Sequence, residues 1–333
     1  MRVLITGGAG FIGAHLAEAY LAEGARVDLL DNLARGRLDA TLSAILERPG
    51  ERPGAQLLER DLLKPRSLDC LADDYDLIFH LAAIVGVANV ARQPGAVLRD
   101  NVALLTGVLE LAARQRDLKR LVFASTSEVY AGSAAHLTLP VPTPEDVPIA
   151  LPDLGVPRSS YLLSKLYGEA MCRHAGAPFT ILRPHNVYGP RMGLAHVIPE
   201  LLQRAAGAAP GGRLSVHSPG HCRAFCYVSD AVAQMTRLAA APAAEGGVFN
   251  IGNQDQEIAM ADLARHIAAL LGRELRIDHG SDTPGSPLRR CPDMTRTIEV
   301  IGYRPRVALD EGLRRTYAWY ADQVFGKEVK AAS

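Results

Sequence analysis

Two side chains four residues apart can carry acid–base chemistry. Tyr161 and Lys165 lie in a predicted helix, where a spacing of four places both on one face. An ammonium group near a phenol stabilises the phenolate and lowers its pKa, so Tyr161 can act as a general base on a hydroxyl or as an acid on a carbonyl. The same spacing is common by chance, so this interpretation depends on the elements around the pair.

Hydroxyl-bearing residues follow a predicted strand upstream of this pair. The apolar run Leu121–Ser125 predicts a buried strand, and Thr126 and Ser127 extend its carboxyl end. Ligands of open α/β folds bind at the carboxyl ends of the strands. The hydroxyl groups are therefore expected in a ligand site, and their order before the Tyr/Lys helix strengthens the acid–base interpretation.

Three glycines near the N-terminus indicate a phosphate site. The predicted strand Val3–Thr6 leads into Gly7, Gly10 and Gly13, and a helical pattern over Phe11–Glu23 follows at once. Gly7 allows a tight turn, Gly10 allows the backbone to approach a pyrophosphate, and Gly13 allows close packing of the helix on the strand. The free N–H groups of the helix N-terminus then face the phosphates.

An acidic residue ends the second predicted strand, Val27–Leu30. Asp31 at this place can accept hydrogen bonds from the adenosine ribose hydroxyls and repels a 2′-phosphate, which favours NAD over NADP. Arg35 and Arg37 lie nearby and weaken this preference, and a turn residue without a ligand is the alternative interpretation. Asp61 follows the third predicted strand, where its side chain can reach the adenine amino group.

The fourth predicted strand ends in small residues. Leu81, Ala82 and Ala83 leave space for a cofactor beside its carboxyl end. His80 is assigned no catalytic role, because a lone histidine is usually structural. Asn101 is polar within an apolar helical pattern, and it either pins backbone at a helix irregularity or serves the active site.

Apolar runs alternate with helical patterns through the first half of the chain. Alternating β and α units with apolar strands predict an α/β fold with a parallel sheet covered on both faces. The predicted strands are Val3–Thr6, Val27–Leu30, Gln56–Leu58, Leu77–Leu81, Leu121–Ser125 and Phe179–Arg183. The predicted helices are Phe11–Glu23, Asp39–Glu47, Ser67–Ala72, Ala96–Arg114 and Ser160–His174, with loops at Arg48–Gly54 and Pro140–Pro157.

The second half predicts a smaller, partly interwoven lobe. Its helical patterns cover Val197–Ala206, Val228–Ala240, Met260–Leu271 and Leu309–Gln323, with strands near Leu214–Val216, Arg223–Tyr227 and Phe249–Ile251. The expected division is a cofactor domain at 1–184, which carries the Tyr/Lys helix, and a ligand-binding lobe at 185–326. Segments near 223–252 return to the first domain, and the tail at 327–333 is expected to be frayed.

Composition excludes several classes of partner. The 333 residues carry 36 basic and 36 acidic side chains, a net charge of zero, which argues against nucleic acid or an anionic membrane. The absence of a signal-peptide pattern and of a long apolar stretch predicts a cytoplasmic protein. Five scattered cysteines indicate reduced thiols, and a zinc site at Cys222 and Cys226 is a minor alternative because no second pair completes it. We therefore expect no metal.

The motifs together resemble the extended short-chain dehydrogenase/reductase family, the NAD-dependent epimerases and dehydratases of nucleotide sugars. The similarity runs from Met1 to about Tyr320. It rests on the glycine motif, Asp31-Asn32, Asp61-Leu62, His80-Leu81-Ala82-Ala83, Ser125-Thr126-Ser127-Glu128-Val129-Tyr130, Tyr161-Leu162-Leu163-Ser164-Lys165, Arg183-Pro184-x-Asn186-x-Tyr188-Gly189-Pro190, Arg223 to Asp230 and Phe249-Asn250-Ile251-Gly252. It implies a Rossmann-type doubly wound parallel sheet with a smaller, partly interwoven α/β substrate-binding lobe.

The resemblance implies a role for each of these residues. Thr126 would hydrogen-bond the sugar O4, Tyr161 would remove its proton, and Lys165 would tune Tyr161, while hydride passes from C4 to NAD and leaves a 4-keto sugar. NAD would be held by Gly7, Gly10, Phe11, Ile12, Gly13, Asp31, Asn32, Asp61, Leu62, Leu81, Ala82, Ala83, Tyr161 and Lys165. The nucleotide diphosphate or sugar would be held by Ser127, Asn186, Arg223 and one or both of Arg289 and Arg290.

Glu128 bears on the outcome of the reaction. The family's simple C4 epimerases usually carry a small or hydroxyl residue there, whereas Thr126-Ser127-Glu128 resembles GDP-mannose 4,6-dehydratases and UDP-glucuronate decarboxylases. A catalytic glutamate near C5 can move a proton or orient the C6 group. We therefore favour C5/C6 chemistry, decarboxylation or dehydration, on a UDP-sugar. Arg290-Cys291-Pro292-Asp293 also resembles a stretch of the decarboxylases.

Other functions stay open at this point. C4 epimerisation of UDP-glucose or UDP-glucuronate is a close alternative. A non-catalytic NAD-binding regulator and a net oxidoreductase that releases NADH are further alternatives, although the intact Tyr161 and Lys165 argue against the first. The family also implies a homodimer, formed through helices such as Ala96–Arg114 and Ser160–His174, whose apolar faces can equally pack within one chain.

Overall fold

The computed structural model describes residues 1–47, 54–283 and 286–326. The tail at 327–333 and most of the predicted loop at 48–54 lie outside the described residues. The strands are β1 (Arg2–Thr6), β2 (Arg26–Asp31), β3 (Ala55–Glu59), β4 (Leu77–His80), β5 (Arg120–Ala124), β6 (Phe179–Pro184), β7 (Val187–Tyr188), β8 (Arg213–Val216), β9 (Cys222–Ala224), β10 (Cys226–Tyr227), β11 (Val248–Ile251), β12 (Glu257–Ala259), β13 (Arg276–His279) and β14 (Arg289–Arg290).

Helices cover both faces of the sheet and build much of the second lobe. They are α1 (Phe11–Ala22), α2 (Ala40–Leu46), α3 (Val87–Arg92), α4 (Pro94–Ala113), α5 (Ala131–His136), α6 (Ser159–His174), α7 (Val197–Gly207), α8 (Val228–Ala240), α9 (Met260–Leu270), α10 (Thr295–Ile301) and α11 (Leu309–Tyr320). No helix among the described residues combines the length and the apolar character that a membrane crossing needs.

Seven parallel strands of the described chain form one sheet in the order β11-β6-β5-β4-β1-β2-β3. Successive side chains point to opposite faces, and both faces are covered. In β1, Val3 and Ile5 belong to one apolar core while Leu4 belongs to the other. This double burial explains why the strands are continuously apolar in the sequence. The predicted α/β fold with a parallel sheet is confirmed.

One strand of this sheet comes from the second half of the chain. In β11, Phe249 lies opposite Leu182 of β6, so the chain returns to the first domain after building part of the second lobe. We propose the division into 1–184 and 185–326 on this basis, with the 223–252 region supplying the edge strand.

The second lobe contains short strand pairs. β8 pairs with β13, β9 pairs with β12 and β14, and β10 pairs with β7. The prediction of one strand over Arg223–Tyr227 is wrong, because the chain changes partners at Phe225 and forms two strands, β9 and β10.

Three other predictions of local structure need correction. The segment Ser67–Ala72 is not helical: Arg66 has a left-handed φ of 61°, and the following hydrogen bonds join residues three apart, as in successive turns. No helix is predicted between Tyr130 and the loop at Pro140–Pro157, but Ala131–His136 form the short helix α5. The predicted helix Leu309–Gln323 ends at Tyr320 and continues as a π-helical turn over Ala321–Phe325.

A buried ion pair joins α6 to the sheet. The guanidinium of Arg183 in β6 donates to both carboxylate oxygens of Glu169 in α6 at 2.9 and 2.7 Å. The side chains are only 4% and 6% exposed. Ser125, just after β5, donates to the same carboxylate at 2.6 Å. The helix that carries Tyr161 is therefore fixed to two neighbouring strands.

Loss of this pair should destabilise the protein strongly. Glu169→Gln leaves the Arg183 charge buried without an anion, so we expect the free energy of unfolding to fall by about 3 kcal/mol. The matched control is Asp73→Asn, which breaks the ion pair between Asp73 and Arg116. Both of these side chains are more than half exposed. The control should lose less than about 1 kcal/mol. Denaturant unfolding of both variants measures the difference, and equal losses would contradict the assigned role.

Candidate active site

The glycine motif lies where the strand order reverses. β1 pairs with β2 on one side and with β4 on the other, which leaves a crevice at their carboxyl ends. Gly7 has a φ of 71°, and a Cβ there would lie 2.8 Å from the backbone nitrogen of Ala82. A Cβ at Gly13 would lie 2.4 Å from the Gly7 oxygen. Helix α1 follows Gly10, which offers no side-chain cap, so its first N–H groups are available to an anion.

Asp31 lies beside the glycine motif, at the end of β2. Its carboxylate accepts hydrogen bonds from the backbone nitrogens of Leu33 at 2.8 Å and Ala9 at 3.1 Å, and burial raises its pKa above the ordinary value. The neighbouring Asn32 accepts from the Ala34 nitrogen at 3.1 Å. The hydrogen bonds from Leu33 and Ala9 therefore hold the Asp31 carboxylate at the end of β2, where a ribose would approach the crevice.

The remaining residues expected to hold NAD lie along the same edge of the sheet. Asp61 follows β3, and its carboxylate accepts from the Leu63 nitrogen at 3.0 Å. The others, all partly exposed, are Phe11, Ile12, Leu62, Leu81, Ala82 and Ala83. A glycine cradle without room for Cβ atoms, an uncapped helix N-terminus and a buried carboxylate fit a dinucleotide. These residues would hold NAD, although their individual roles stay predictions.

Arg191 anchors the glycine motif, a role that is not evident from the sequence. Its side chain is 3% exposed and pairs with Asp39 at 2.8 Å. It also donates to the carbonyl oxygens of Ala9 at 3.2 Å, Gly10 at 3.3 Å and Arg37 at 2.8 Å. The only sequence signal was an arginine at the end of the Tyr-Gly-Pro motif. The segment after β7 therefore supports the phosphate-binding turn.

The structure brings Thr126, Tyr161 and Lys165 together. Tyr161 and Lys165 occupy one face of α6, with the lysine Nζ 5.9 Å from the tyrosine ring centre. The Thr126 side chain lies close enough to the Tyr161 phenol to lower its pKa. Nζ of Lys165 donates to the carbonyl oxygen of Ala124, the last residue of β5, at 2.7 Å. The strand end thus positions both the threonine and the lysine.

The pKa values of Lys165 and Tyr161 differ from those that the sequence predicts. Burial lowers the pKa of Lys165 to about 8. Burial and the negative charge of Glu128 raise the pKa of Tyr161 to about 12, even though the neighbouring Thr126 acts in the opposite direction. The expected lowering of the Tyr161 pKa by the protein alone is therefore wrong. The ammonium of Lys165 is directed at the backbone carbonyl of Ala124.

Glu128 is held between two arginines. One carboxylate oxygen accepts from Arg290 at 2.7 Å, and the other accepts from Nε and a terminal nitrogen of Arg158 at 3.0 and 2.7 Å. Burial alone would raise the pKa of Glu128, but the two guanidinium groups outweigh it and hold that pKa below its ordinary value. Arg158 was missed in the sequence, where its only signal was a basic residue just before the Tyr/Lys helix.

The expected substrate-binding residues lie on the second lobe and the adjoining turn. Asn186 has a φ of 39° and donates to the Ala224 oxygen at 3.0 Å. Arg223 donates to the Ser286 hydroxyl at 2.7 Å, and burial together with Arg290 lowers its pKa to about 10. Ser127 is buried in the turn that carries Glu128.

Arg289 and Arg290 have different surroundings. Arg289 is 47% exposed and pairs with Glu257 through two hydrogen bonds of 2.9 and 2.6 Å. Arg290 is 15% exposed and contacts Glu128. The geometry therefore favours Arg290 over Arg289 as the residue that faces the reacting part of a sugar.

Two polar residues near the crevice have structural partners. Nδ1 of His80 and the Thr6 hydroxyl are 2.8 Å apart, and burial lowers the pKa of His80 to about 3, so its ring is neutral. Asn101 bonds both backbone groups of Ile84 at 2.7 and 3.1 Å and donates to Ser164 of α6 at 3.2 Å. Asn101 therefore pins the backbone after β4. Among the described residues no cluster of His, Cys, Asp and Glu is arranged to hold a metal ion.

A cofactor crevice at the switch point, with a Thr/Tyr/Lys group beside it, defines an NAD-dependent enzyme of the short-chain dehydrogenase/reductase type. The chain belongs to the NAD-dependent epimerase/dehydratase family, whose sequence model matches residues 3–252. It is thus an NAD-dependent enzyme of nucleotide sugars, of the type that acts as epimerase, decarboxylase or dehydratase. The resemblance found in the sequence is confirmed.

Similar proteins share nearly the whole length of the chain. A UDP-N-acetyl-alpha-D-glucosaminuronate decarboxylase of Bacillus cytotoxicus is 32% identical over 334 residues, covering 96% of this chain and 98% of the relative. UDP-glucuronic acid decarboxylase 5 of Arabidopsis thaliana is 34% identical over 321 residues, covering 94% and 87%. The crystal structure of UDP-glucuronic acid 4-epimerase from Bacillus cereus matches with a TM-score of 0.80 and 26% identity, covering 96% and 98%.

The buried lysine predicts a pH dependence of stability. The pKa of Lys165 is about 8 in the fold against an ordinary 10.5, so the unfolded chain binds more protons between these values. The free energy of unfolding should therefore rise with pH in this window, by up to about 1.4 kcal/mol per pH unit relative to Lys165→Met. Denaturant unfolding at pH steps across the window measures the difference.

An exposed lysine provides the control for this experiment. Lys64, whose side chain is exposed, should give no such rise when it is compared as Lys64→Met. A constant difference between wild type and Lys165→Met across the window would contradict the lowered pKa of Lys165.

Proposed function

We propose that the chain decarboxylates a UDP-uronic acid through transient oxidation at sugar C4. The observation that carries this proposal is the Glu128 carboxylate held between Arg290 and Arg158, next to the Thr126 and Tyr161 pair. The cluster would offer positive charge to the C6 carboxylate of a sugar whose O4 lies at Tyr161. The similarity to two uronate decarboxylases supports the same reaction.

The acid–base step belongs to Tyr161. Its phenol would take the O4 proton, with the neighbouring Thr126 hydroxyl orienting that group. NAD, when bound, supplies the hydride acceptor at C4 and adds positive charge near the phenol. That charge opposes the effects of burial and Glu128, which raise the Tyr161 pKa, and it adds to the lowering effects of Thr126 and Arg35.

After oxidation at C4, decarboxylation needs few further catalytic groups from the protein. A 4-keto sugar with a C6 carboxylate is a β-keto acid, which loses carbon dioxide without a base at C5. The C5–C6 bond breaks, its electron pair is held as the enolate of the C4 ketone, and C5 then takes up a proton. Hydride afterwards returns to C4, and Tyr161 returns the proton to O4. Arg290 can hold the carboxylate, because guanidinium groups bind carboxylates in a planar geometry. Dehydration instead needs a base at C5 and an acid at the C6 oxygen. Glu128 is paired with two cations and has a lowered pKa, so it is suited to orienting charge rather than to donating a proton.

Removal of the Tyr161 hydroxyl should abolish turnover. For Tyr161→Phe we expect carbon dioxide release from UDP-glucuronate to fall by at least about a hundredfold, with NAD binding preserved. The control is Tyr167→Phe, since Tyr167 lies on the same helix with 57% of its surface exposed, and it should keep the wild-type rate. A fully active Tyr161→Phe variant would rule out the acid–base role.

The products of the wild-type reaction separate the possible outcomes. NMR and mass analysis with UDP-glucuronate should show carbon dioxide and a UDP-pentose. A new sugar signal at unchanged mass would instead mean C4 epimerisation, and loss of one water from UDP-glucose or GDP-mannose would mean dehydration. Either result, without carbon dioxide release, would reject the decarboxylase proposal.

We propose further that the protein is a cytoplasmic homodimer. Helices α4 and α6 pack against each other within the chain, and Leu98 of α4 remains 36% exposed. A second copy would cover such a surface. Leu98→Glu should convert a dimer into a monomer in sedimentation equilibrium, and a wild-type monomer would reject this part of the proposal.

A further inference from the structure

A small cavity adjoins the turn that carries Glu128. Its volume is about 40 Å³, enough for a small chemical group. Apolar side chains such as Leu139 and Val141 form much of its wall, whereas Ser127 and Arg290 connect it to the active site. None of these features explains why a histidine also lines it.

The histidine is His185, and its protonation follows from its neighbours. Nδ2 of Asn250 donates to the carbonyl oxygens of Thr143 at 3.0 Å and Asp293 at 3.2 Å. Carbonyl oxygens can only accept, so Oδ1 of Asn250 must be the acceptor on the other side. It accepts from the Tyr130 hydroxyl at 2.9 Å and from Nε2 of His185 at 3.1 Å. Nε2 of His185 therefore carries a hydrogen.

The other ring nitrogen is an acceptor without a donor. Burial lowers the pKa of His185 to about 3, with Arg290 adding to the effect, so the ring is neutral and Nδ1 is a bare lone pair. His185 is 1% exposed, and within the described residues Nδ1 is buried without a hydrogen-bond partner. A buried polar atom without a partner costs free energy, so Nδ1 is free to accept a hydrogen bond from a donor that enters the cavity.

We infer that Nδ1 of His185 accepts a hydrogen bond from an O–H or N–H group on the sugar of the substrate, a group other than the C6 carboxylate. The inference deepens the proposed function and rests on it. An ionised carboxylate can only accept, so it cannot pair with Nδ1 and instead suits Arg290. His185 is thus a specificity-determining residue for a second position on the sugar.

Two substituents have the required chemistry. A ring hydroxyl offers an O–H, and an acetamido group offers an N–H together with a methyl group that can pack on Leu139 and Val141. Because Nδ1 lies in a water-poor site, a substrate without a donor there would leave it unpaired, which is a strong basis for discrimination.

Two substitutions of His185 distinguish the roles of its two ring nitrogens. His185→Gln keeps a donor near the Nε2 position for Asn250 but removes the acceptor at Nδ1. His185→Asn keeps an oxygen acceptor near the Nδ1 position but loses the contact with Asn250. If the inference is correct, the Gln variant loses affinity for the sugar and the Asn variant keeps it.

The experiment measures binding by calorimetry in the Tyr161→Phe background, with NAD present, so that no substrate is consumed. The ligands are UDP-glucuronate, UDP-N-acetylglucosaminuronate and UDP alone. His185→Gln should weaken binding of at least one sugar nucleotide by about tenfold or more, while His185→Asn stays within a few-fold of its parent. UDP should bind all three proteins equally. Selective loss for one sugar nucleotide identifies the hydroxyl or the acetamido group as the donor.

Two results would overturn the inference. Equal affinities of the Gln and Asn variants for both sugar nucleotides would mean that Nδ1 contacts no sugar group. A parallel loss of UDP binding would mean that His185 only supports the fold around Asn250. Carbon dioxide release by the wild-type protein tests the proposed function separately, so a variant effect without carbon dioxide would reject decarboxylation alone.

Discussion

The helix that bears Tyr161 is held to the sheet by the buried ion pair between Arg183 and Glu169. Glu169 lies two turns beyond Tyr161 on α6, and it also accepts a hydrogen bond from Ser125 at the end of β5. Arg183 donates in addition to the Tyr130 hydroxyl at 2.9 Å. Because a buried charge is tolerated only when its partners stay in place, the positions of the helix, both strands and the turn after β5 are mutually dependent.

The same packing also brings together the charged side chains of the active site. The turn after β5 presents Glu128 to Arg290 from the second lobe and to Arg158 at the start of α6. Each guanidinium comes from a different part of the chain, so the cluster forms only when both lobes are packed together. In the proposed reaction the Arg290 guanidinium binds both the Glu128 carboxylate and the C6 carboxylate of the sugar. The positive charge of the arginines thus complements an acidic substrate.

Much of this arrangement could be predicted from the sequence, because it depends on local order. Buried parallel strands are apolar on both faces, and Tyr161 with its lysine is recognisable by spacing after a hydroxyl-bearing strand end. Arg158 and Arg191 could not be assigned, since their partners lie 30 residues or more than 150 residues away in the chain. The raised pKa of Tyr161 could not be predicted from the sequence either, because it depends on burial and on the distance to Glu128.

The central claim is that oxidation at C4 is transient and precedes the loss of the carboxylate. The most direct measurement is a single turnover of the NAD-loaded enzyme with UDP-glucuronate, in which NADH absorbance and carbon dioxide are followed together. We predict that NADH rises and then decays within the turnover, with carbon dioxide appearing after the rise. Consumption of the substrate without any NADH signal would contradict the account, and so would NADH that accumulates in proportion to product.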